Sequence, residues 1–311
     1  MLLMCKDKAV YDIEKEEAIT KGLLPGSMIN NANNAAFKSW LKKRYCSGTN
    51  TLARQLRGVT FGQGNRVEID KTTRALSLSD CYWLKNKHDD ISFARVSPYY
   101  IDFWKGGGDY SGGAVPTLYV PGYISKAWLS GGYLYKTGCE IEIECSGICS
   151  KAGISCAEVY ADPGGGGGII VKNFTSVDYM LEQADMTGRF DDENYTDEDI
   201  ICEYGPDGYK MILADAVFGN GDRHLGNFGY LRDTETGAYI KMAPLYDFDR
   251  ALDAKGENDI LIKNAVRFAK ENINFKNIAE DITNKIINIG CNDIFTARAE
   301  KIRGDIISKK L

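Results

Sequence analysis

The feature that most constrains this chain is a pair of polar clusters set at the two ends of a short β-hairpin. The first cluster is Gly219-Asn220-Gly221-Asp222-Arg223-His224-Leu225-Gly226-Asn227, and the second is Pro244-Leu245-Tyr246-Asp247-Phe248-Asp249. Between them, Phe228 to Leu231 and Ala238 to Met242 are short aromatic and aliphatic runs divided by the polar turn Arg232 to Gly237. Antiparallel strands folded about that turn set the residue after Asn227 roughly opposite Met242 or Ala243, with neighbouring strands about 4.8 Å apart. Asp222, Asn227 and Asp247 are therefore expected to converge at the open end of one hairpin.

Oxygen ligands without a thiolate or paired imidazole suit a hard cation such as magnesium, which keeps several waters and bridges substrate phosphates. The five-residue interval from Asp222 to Asn227 matches a catalytic loop in which a hydroxyl-orienting Asp precedes a metal-binding Asn, and Asp247 follows as the second metal ligand. The reading is phosphoryl transfer from ATP, with Asp222, Asn227 and Asp247 catalytic and Asn227 and Asp247 holding the metal. Ordinary turn chemistry would explain Asn220-Gly221 and Gly226-Asn227. It does not explain an Asp after the apolar Pro-Leu-Tyr. His224 reads as a hydrogen-bond donor that steadies the loop and not as a proton shuttle.

These residues resemble the HipA-like Ser/Thr protein kinase family and, more distantly, the phosphatidylinositol 3-kinase relatives that also carry a Gly-Asp-Arg-His stretch. The resemblance covers roughly residues 98 to 250. Ser111-Gly112-Gly113-Ala114-Val115-Pro116-Thr117 is similar to the loop that lies over the nucleotide phosphates, and Tyr133 to Lys136 to the strand that carries the nucleotide-binding lysine. Glu142 to Ile154 resembles the helix whose Glu pairs with that lysine, and Gly168 to Phe174, with Val171 and Asn173, the strand and hinge beside the adenine. The resemblance implies a two-lobed protein-kinase-like fold, ATP and Mg2+ as cofactors, a protein acceptor, an antitoxin-like partner, and autophosphorylation with Ser111 as the candidate residue.

Alternation along Tyr133 to Lys136 aims Leu134 and Lys136 at one face, as a phosphate-reaching lysine requires. Lys126 and Lys151 compete for that role, and Glu140 and Glu144 compete with Glu142. Some positions depart from the family. About fifty residues separate Asn173 from Asp222, fewer than the helical insertion of larger relatives; Thr117 replaces a lysine; and Asp249 stands where eukaryotic kinases have the Gly of Asp-Phe-Gly. A pseudokinase that binds ATP, or a kinase for lipids or small molecules, shares the same ATP-side residues.

At 311 residues and 44% hydrophobic, the chain has a soft prior of two domains. The pattern divides it into an accessory N-terminal region at 1–97, an N-lobe of mixed α/β character at 98–175, and a mainly helical C-lobe at 176–311, an α+β chain overall. Helices are expected at Asn33–Cys46, Thr49–Arg57, Val177–Met186, Gly208–Phe218, Asn258–Glu271, Ile278–Ile289 and Ile294–Ile307. A strand-like stretch is expected at Val59–Leu78.

A net charge of −5, from 38 basic and 43 acidic residues, does not supply affinity for a phosphate backbone, which disfavours nucleic acid as a partner and a magnesium nuclease as a function. No apolar run approaches membrane-spanning length, and the first residues lack a signal-peptide pattern, so a soluble cytoplasmic protein is expected. Nine cysteines without a Cys-x-x-Cys pair, and two histidines, read as reduced thiols with no zinc site. The run Gly164 to Gly168 lacks the Gly-Lys-Ser/Thr ending of a P-loop and reads as a hairpin turn. Lys38, Lys42, Lys43, Arg44, Arg54 and Arg57, interleaved with Phe37, Trp40 and Tyr45, read as the solvated face of an amphipathic helix.

Overall fold

The computed structural model describes residues 1–43, 74–97, 99–100, 126–129, 132–164, 167–191, 194–253 and 259–308. The loop containing Ser111, Gly112 and Gly113 lies outside them, as do the stretch 49–57 and most of 59–78.

In chain order the elements begin with β1 (Leu2–Cys5), β2 (Lys8–Asp12), β3 (Glu17–Ala18), α1 (Gly26–Ile29), α2 (Asn34–Lys43), β4 (Tyr82–Lys85) and α3 (Phe93–Val96). They continue with β5 (Lys126–Leu129), β6 (Tyr133–Thr137), α4 (Ile141–Ala152), β7 (Val159–Ala161), β8 (Gly168–Lys172) and β9 (Tyr179–Gln183). Then come α5 (Asp197–Tyr204), α6 (Pro206–Phe218), β10 (Gly229–Asp233), β11 (Tyr239–Met242), α7 (Ile260–Glu271), α8 (Ile273–Ile289) and α9 (Asp293–Ile307). No helix among the described residues is long and apolar enough to cross a membrane.

The chain forms two compact units. One comprises Met1–Thr137, Ile170–Arg189 and Gly229–Lys241; the other comprises Gly138–Ile169, Phe190–Phe228 and Met242–Leu311.

In the first unit an antiparallel sheet runs in the order β3-β2-β1-β4. Leu3, Val10, Tyr11 and Trp83 are fully buried on it. The amphipathic stretch expected from Asn33 is α2, which buries Phe37, Trp40 and Leu41, with the Trp40 ring edge-on to Tyr82 at 5.5 Å. A second sheet holds β5 antiparallel to β6, with β8 beside β6. The third has the order β11-β10-β9.

That third sheet carries both a confirmation and a correction. Its β10–β11 arm is the hairpin that the spacing requires, closed where Gly237 donates its N–H to the Asp233 carbonyl at 2.9 Å. Residues 177–186, expected as a helix, instead form β9 and a short 3-10 turn, and β9 pairs antiparallel with β10 from Tyr179 opposite Asp233 to Gln183 opposite Gly229. Burial alternates along β9, with Met180 and Glu182 inward, the period of a strand and not of a helix. The buried carboxylate of Glu182 is paired there by Arg232 of β10 at 3.1 Å.

The second unit is mainly helical and centred on α6. Proline at its first position fits a helix start, and burial of Tyr209, Met211, Leu213, Val217 and Phe218 makes it a core helix. The Tyr209 ring stacks on Phe275 of α8 at 4.7 Å, and Phe218 meets Phe295 of α9 at 5.1 Å and Phe248 at 5.2 Å. Helix α9 is tied down by Arg298, which donates to the Ala216 carbonyl at 2.8 Å and pairs with Asp259 ahead of α7.

Candidate active site

The polar loop starts where α6 stops. Gly219 ends the helix in the left-handed region at φ 65°, a conformation that glycine adopts without steric cost, and its N–H returns to the Asp215 carbonyl. Asn220 continues the cap: its backbone N–H reaches the Asp215 carbonyl at 3.0 Å and its amide nitrogen the Asp215 carboxylate at 2.9 Å.

Arg223 organises the rest of the loop. Its Nε and Nη2 donate to the two carboxylate oxygens of Asp215 at 3.0 and 2.8 Å, a bidentate pair with side chains only 8% and 5% exposed. Its Nη1 donates to two backbone carbonyls at once, Asn227 at 2.9 Å and Tyr246 at 2.8 Å. The guanidinium also lies 4.9 Å from the Phe248 ring centroid. Burial works against its charge, yet Asp215 first and Asp247 next push its pKa further above the ordinary arginine range.

The three candidate catalytic side chains take different positions around this cation. Asp222 is exposed. Asn227 is 4% exposed, and its Nδ2 donates to the Asp222 carbonyl at 3.2 Å, which turns the amide oxygen away from that carbonyl. Asp247 is half-buried with a left-handed backbone, φ 64°. The segment carrying it is held on both sides. Leu245 forms a parallel bridge to Cys156, with Ala157 donating to its carbonyl at 2.8 Å, and the Tyr246 hydroxyl donates to the Gly226 carbonyl at 3.0 Å. Positive φ at a side chain with a Cβ costs of order 1 kcal/mol and clusters at functional sites.

His224 differs from expectation. Its Nδ1 accepts the Gly226 N–H at 3.1 Å, so it steadies the loop as an acceptor and not as a donor. The Tyr195 hydroxyl reaches the Arg223 carbonyl at 3.2 Å from outside the loop.

An amide oxygen and a carboxylate fit a small hard cation that keeps most of its waters. Among the described residues no group of three or more His, Cys, Asp or Glu could hold a metal ion.

The other site residues divide between the two units. In the first, Lys136 is 3% exposed and shares the inward face of β6 with Leu134, as the alternation required. Val171 is buried on β8. Asn173 is committed locally: its Nδ2 donates to the Leu78 carbonyl at 3.1 Å, and its Oδ1 accepts from the Thr175 hydroxyl at 2.8 Å. In the second unit, Glu142 opens α4 and is 2% exposed. Glu140 is exposed, and the Glu144 carboxylate accepts the Asn292 N–H at 2.9 Å, which leaves Glu142 as the deeply buried acid of the three. Lys151 is exposed at the end of α4.

Sequence reasoning passed over Asp215, Asn220 and Tyr246 and gave Arg223 no role. Asp215 stands four residues before the helix-ending Gly219, with Arg223 eight residues on, and that spacing across a cap was the available signal.

No protein-family model matches the chain, and no curated protein matches it. Among solved structures, HipA of the Shewanella oneidensis MR-1 toxin–antitoxin system, in a complex with HipB and its operator DNA, aligns with 98% of the chain and 96% of its own length. The TM-score is 0.56 at 12% sequence identity. The Helicobacter pylori proinflammatory kinase CtkA aligns with 61% of the chain and 88% of its own length, with a TM-score of 0.41 at 17% identity. The chain has a HipA-like, protein-kinase-like fold.

Proposed function

We propose that the chain is an ATP- and Mg2+-dependent kinase that phosphorylates a Ser or Thr hydroxyl of a protein. The observation that supports this reading is the double hydrogen bond from Arg223 Nη1 to the carbonyls of Asn227 and Tyr246, which ties the backbone of Asn227 to that of the residue before Asp247. Magnesium held there supplies charge neutralisation of the transferring phosphoryl group.

In this reading Asp222 orients the acceptor hydroxyl and takes its proton. Asn227 contributes an amide oxygen and Asp247 a carboxylate to the metal. Lys136 braces the α- and β-phosphates, with Glu142 as its acidic counterpart, and the loop around Ser111, Gly112 and Gly113 covers the phosphates. Val171 lines the adenine side. Asn173, its side chain engaged by Leu78 and Thr175, would contact a base through its backbone carbonyl. A cytoplasmic setting, an antitoxin-like partner and autophosphorylation at Ser111 complete the proposal, and the neighbour solved with HipB motivates the partner.

The test is transfer of labelled γ-phosphate to protein acceptors, including the chain itself, with Mg2+ present. Asp222→Ala and Asp247→Ala are each expected to lower the rate by about 10²-fold or more while circular dichroism stays unchanged. Full activity in either variant refutes the assignment. Nucleotide binding without transfer in the wild type identifies a pseudokinase instead.

A further inference from the structure

We infer that Asp215 and Arg223 form a positioning pair for this site, fixing the separation of two backbone segments so that Asn227 and Asp247 can share one cation. The inference rests on the reading given under Proposed function and assigns roles to two side chains that touch neither nucleotide nor acceptor in it.

The donor inventory of Arg223 is divided by task. Two N–H groups, on Nε and Nη2, are spent on the Asp215 carboxylate, which sets the plane of the guanidinium. The remaining bonds, both from Nη1, go to the carbonyl of Asn227 itself and to that of Tyr246, the residue before Asp247. One rigid planar group therefore measures the gap between the two halves of the metal site. Asp215 is itself anchored, because it sits in the last turn of a buried helix and takes further bonds from Asn220.

Stability alone does not call for this arrangement. A buried ion pair exchanged for well-packed apolar side chains is often neutral or favourable, so its energetic worth is weak grounds for keeping one. Geometry supplies a stronger reason. Lysine is a point charge without a planar fork, and it cannot bind a carboxylate edge-on while spanning two carbonyls. Residues that orient metal ligands from behind typically change metal affinity or activity by 10- to 100-fold when removed.

The experiment uses the full chain with Arg223→Lys, Arg223→Met, Asp215→Asn and Arg223→Ala, measuring phosphate transfer against Mg2+ concentration at saturating ATP. Arg223→Lys is expected to need roughly tenfold more Mg2+ for half-maximal rate, with the KM for ATP within about twofold of wild type. Asp215→Asn should shift the Mg2+ midpoint in the same direction. Methylguanidinium at millimolar concentration should restore part of the activity of Arg223→Ala and none of that of Arg223→Lys.

A wild-type Mg2+ midpoint in folded Arg223→Lys and Arg223→Met overturns the inference. So does a loss of rate that follows melting temperature across the variants while the Mg2+ midpoint stays fixed. If the wild type transfers no phosphate, the functional reading fails on its own. Uptake of Mn2+ with ATP, followed by paramagnetic resonance, then decides the inference: binding weakened by Arg223→Met supports it, and equal binding or none overturns it.

Discussion

The Tyr246 hydroxyl donates to the Gly226 carbonyl at 3.0 Å, which joins the segment carrying Asp247 to the residue just before Asn227. Tyr246→Phe keeps the ring and deletes this bond. A net loss of about 1 kcal/mol is expected, or roughly fivefold in whatever equilibrium holds the two segments together. A urea melt and transfer kinetics on the same preparation check it, and an unchanged melting curve together with an unchanged rate refutes the link.

Arg232 presents a different case, in which a buried arginine has a structural task. It is fully buried and donates to the carbonyls of Gly22, Leu24 and Gly237, to the Tyr82 hydroxyl and to Glu182. Glu182 in turn accepts from the Gly26 N–H at 2.6 Å and from the Tyr239 hydroxyl at 2.8 Å. Arg232→Met should destabilise the protein by about 3–5 kcal/mol, since it leaves a buried carboxylate without its cation. Burial already raises the Glu182 pKa and Arg232 opposes that rise, so adding Glu182→Gln should recover part of the loss. Equal stability of the single and double variants in a denaturant series counts against this account.

Arg232 and Arg223 also mark how far local pattern reaches. The β10–β11 hairpin was legible because short aromatic and aliphatic runs and a Gly-containing polar turn between them are local signals. Strand β9 was not, because Glu182 reads as the polar face of a helix until its partner fifty residues later is known. The helices from α6 onward were legible in kind from their apolar spacing, with ends displaced by a few residues; α8 begins at Ile273 and not at Ile278. Asp222, Asn227 and Asp247 stood out by spacing. Asp215 did not, because its one signal is the spacing across the helix cap to Arg223, and an Ala-Asp-Ala stretch of an apolar helix does not itself mark the carboxylate as that arginine's partner.

A pH-dependent contact is expected at the surface of the first unit. Hydrogen bonds from Lys6 and then Lys8 hold the Glu235 carboxyl at about 2, below its usual 4.5. The folded-state value is depressed, so the stabilisation is present above the unfolded value near 4.5 and is lost as pH falls towards about 2. Glu235 is 55% exposed, so the effect is small and screened by salt. Glu235→Gln should flatten the stability curve between those pH values in low salt, and wild type and variant should coincide in 1 M salt. A difference that survives high salt contradicts an exposed ion pair as its source.

The left-handed backbone of Asp247 makes the choice of a loss-of-function control matter. Both Asp247→Ala and Asp247→Gly remove the carboxylate, but alanine keeps a Cβ in a conformation that costs roughly 1 kcal/mol, whereas glycine accepts it freely. Glycine is usually the worse guest in folded chains, and here the order reverses: the glycine form should melt at the higher temperature of the two. On the proposed function, the variant best suited to trapping partners in cells is thus the one whose substitution relaxes the main chain.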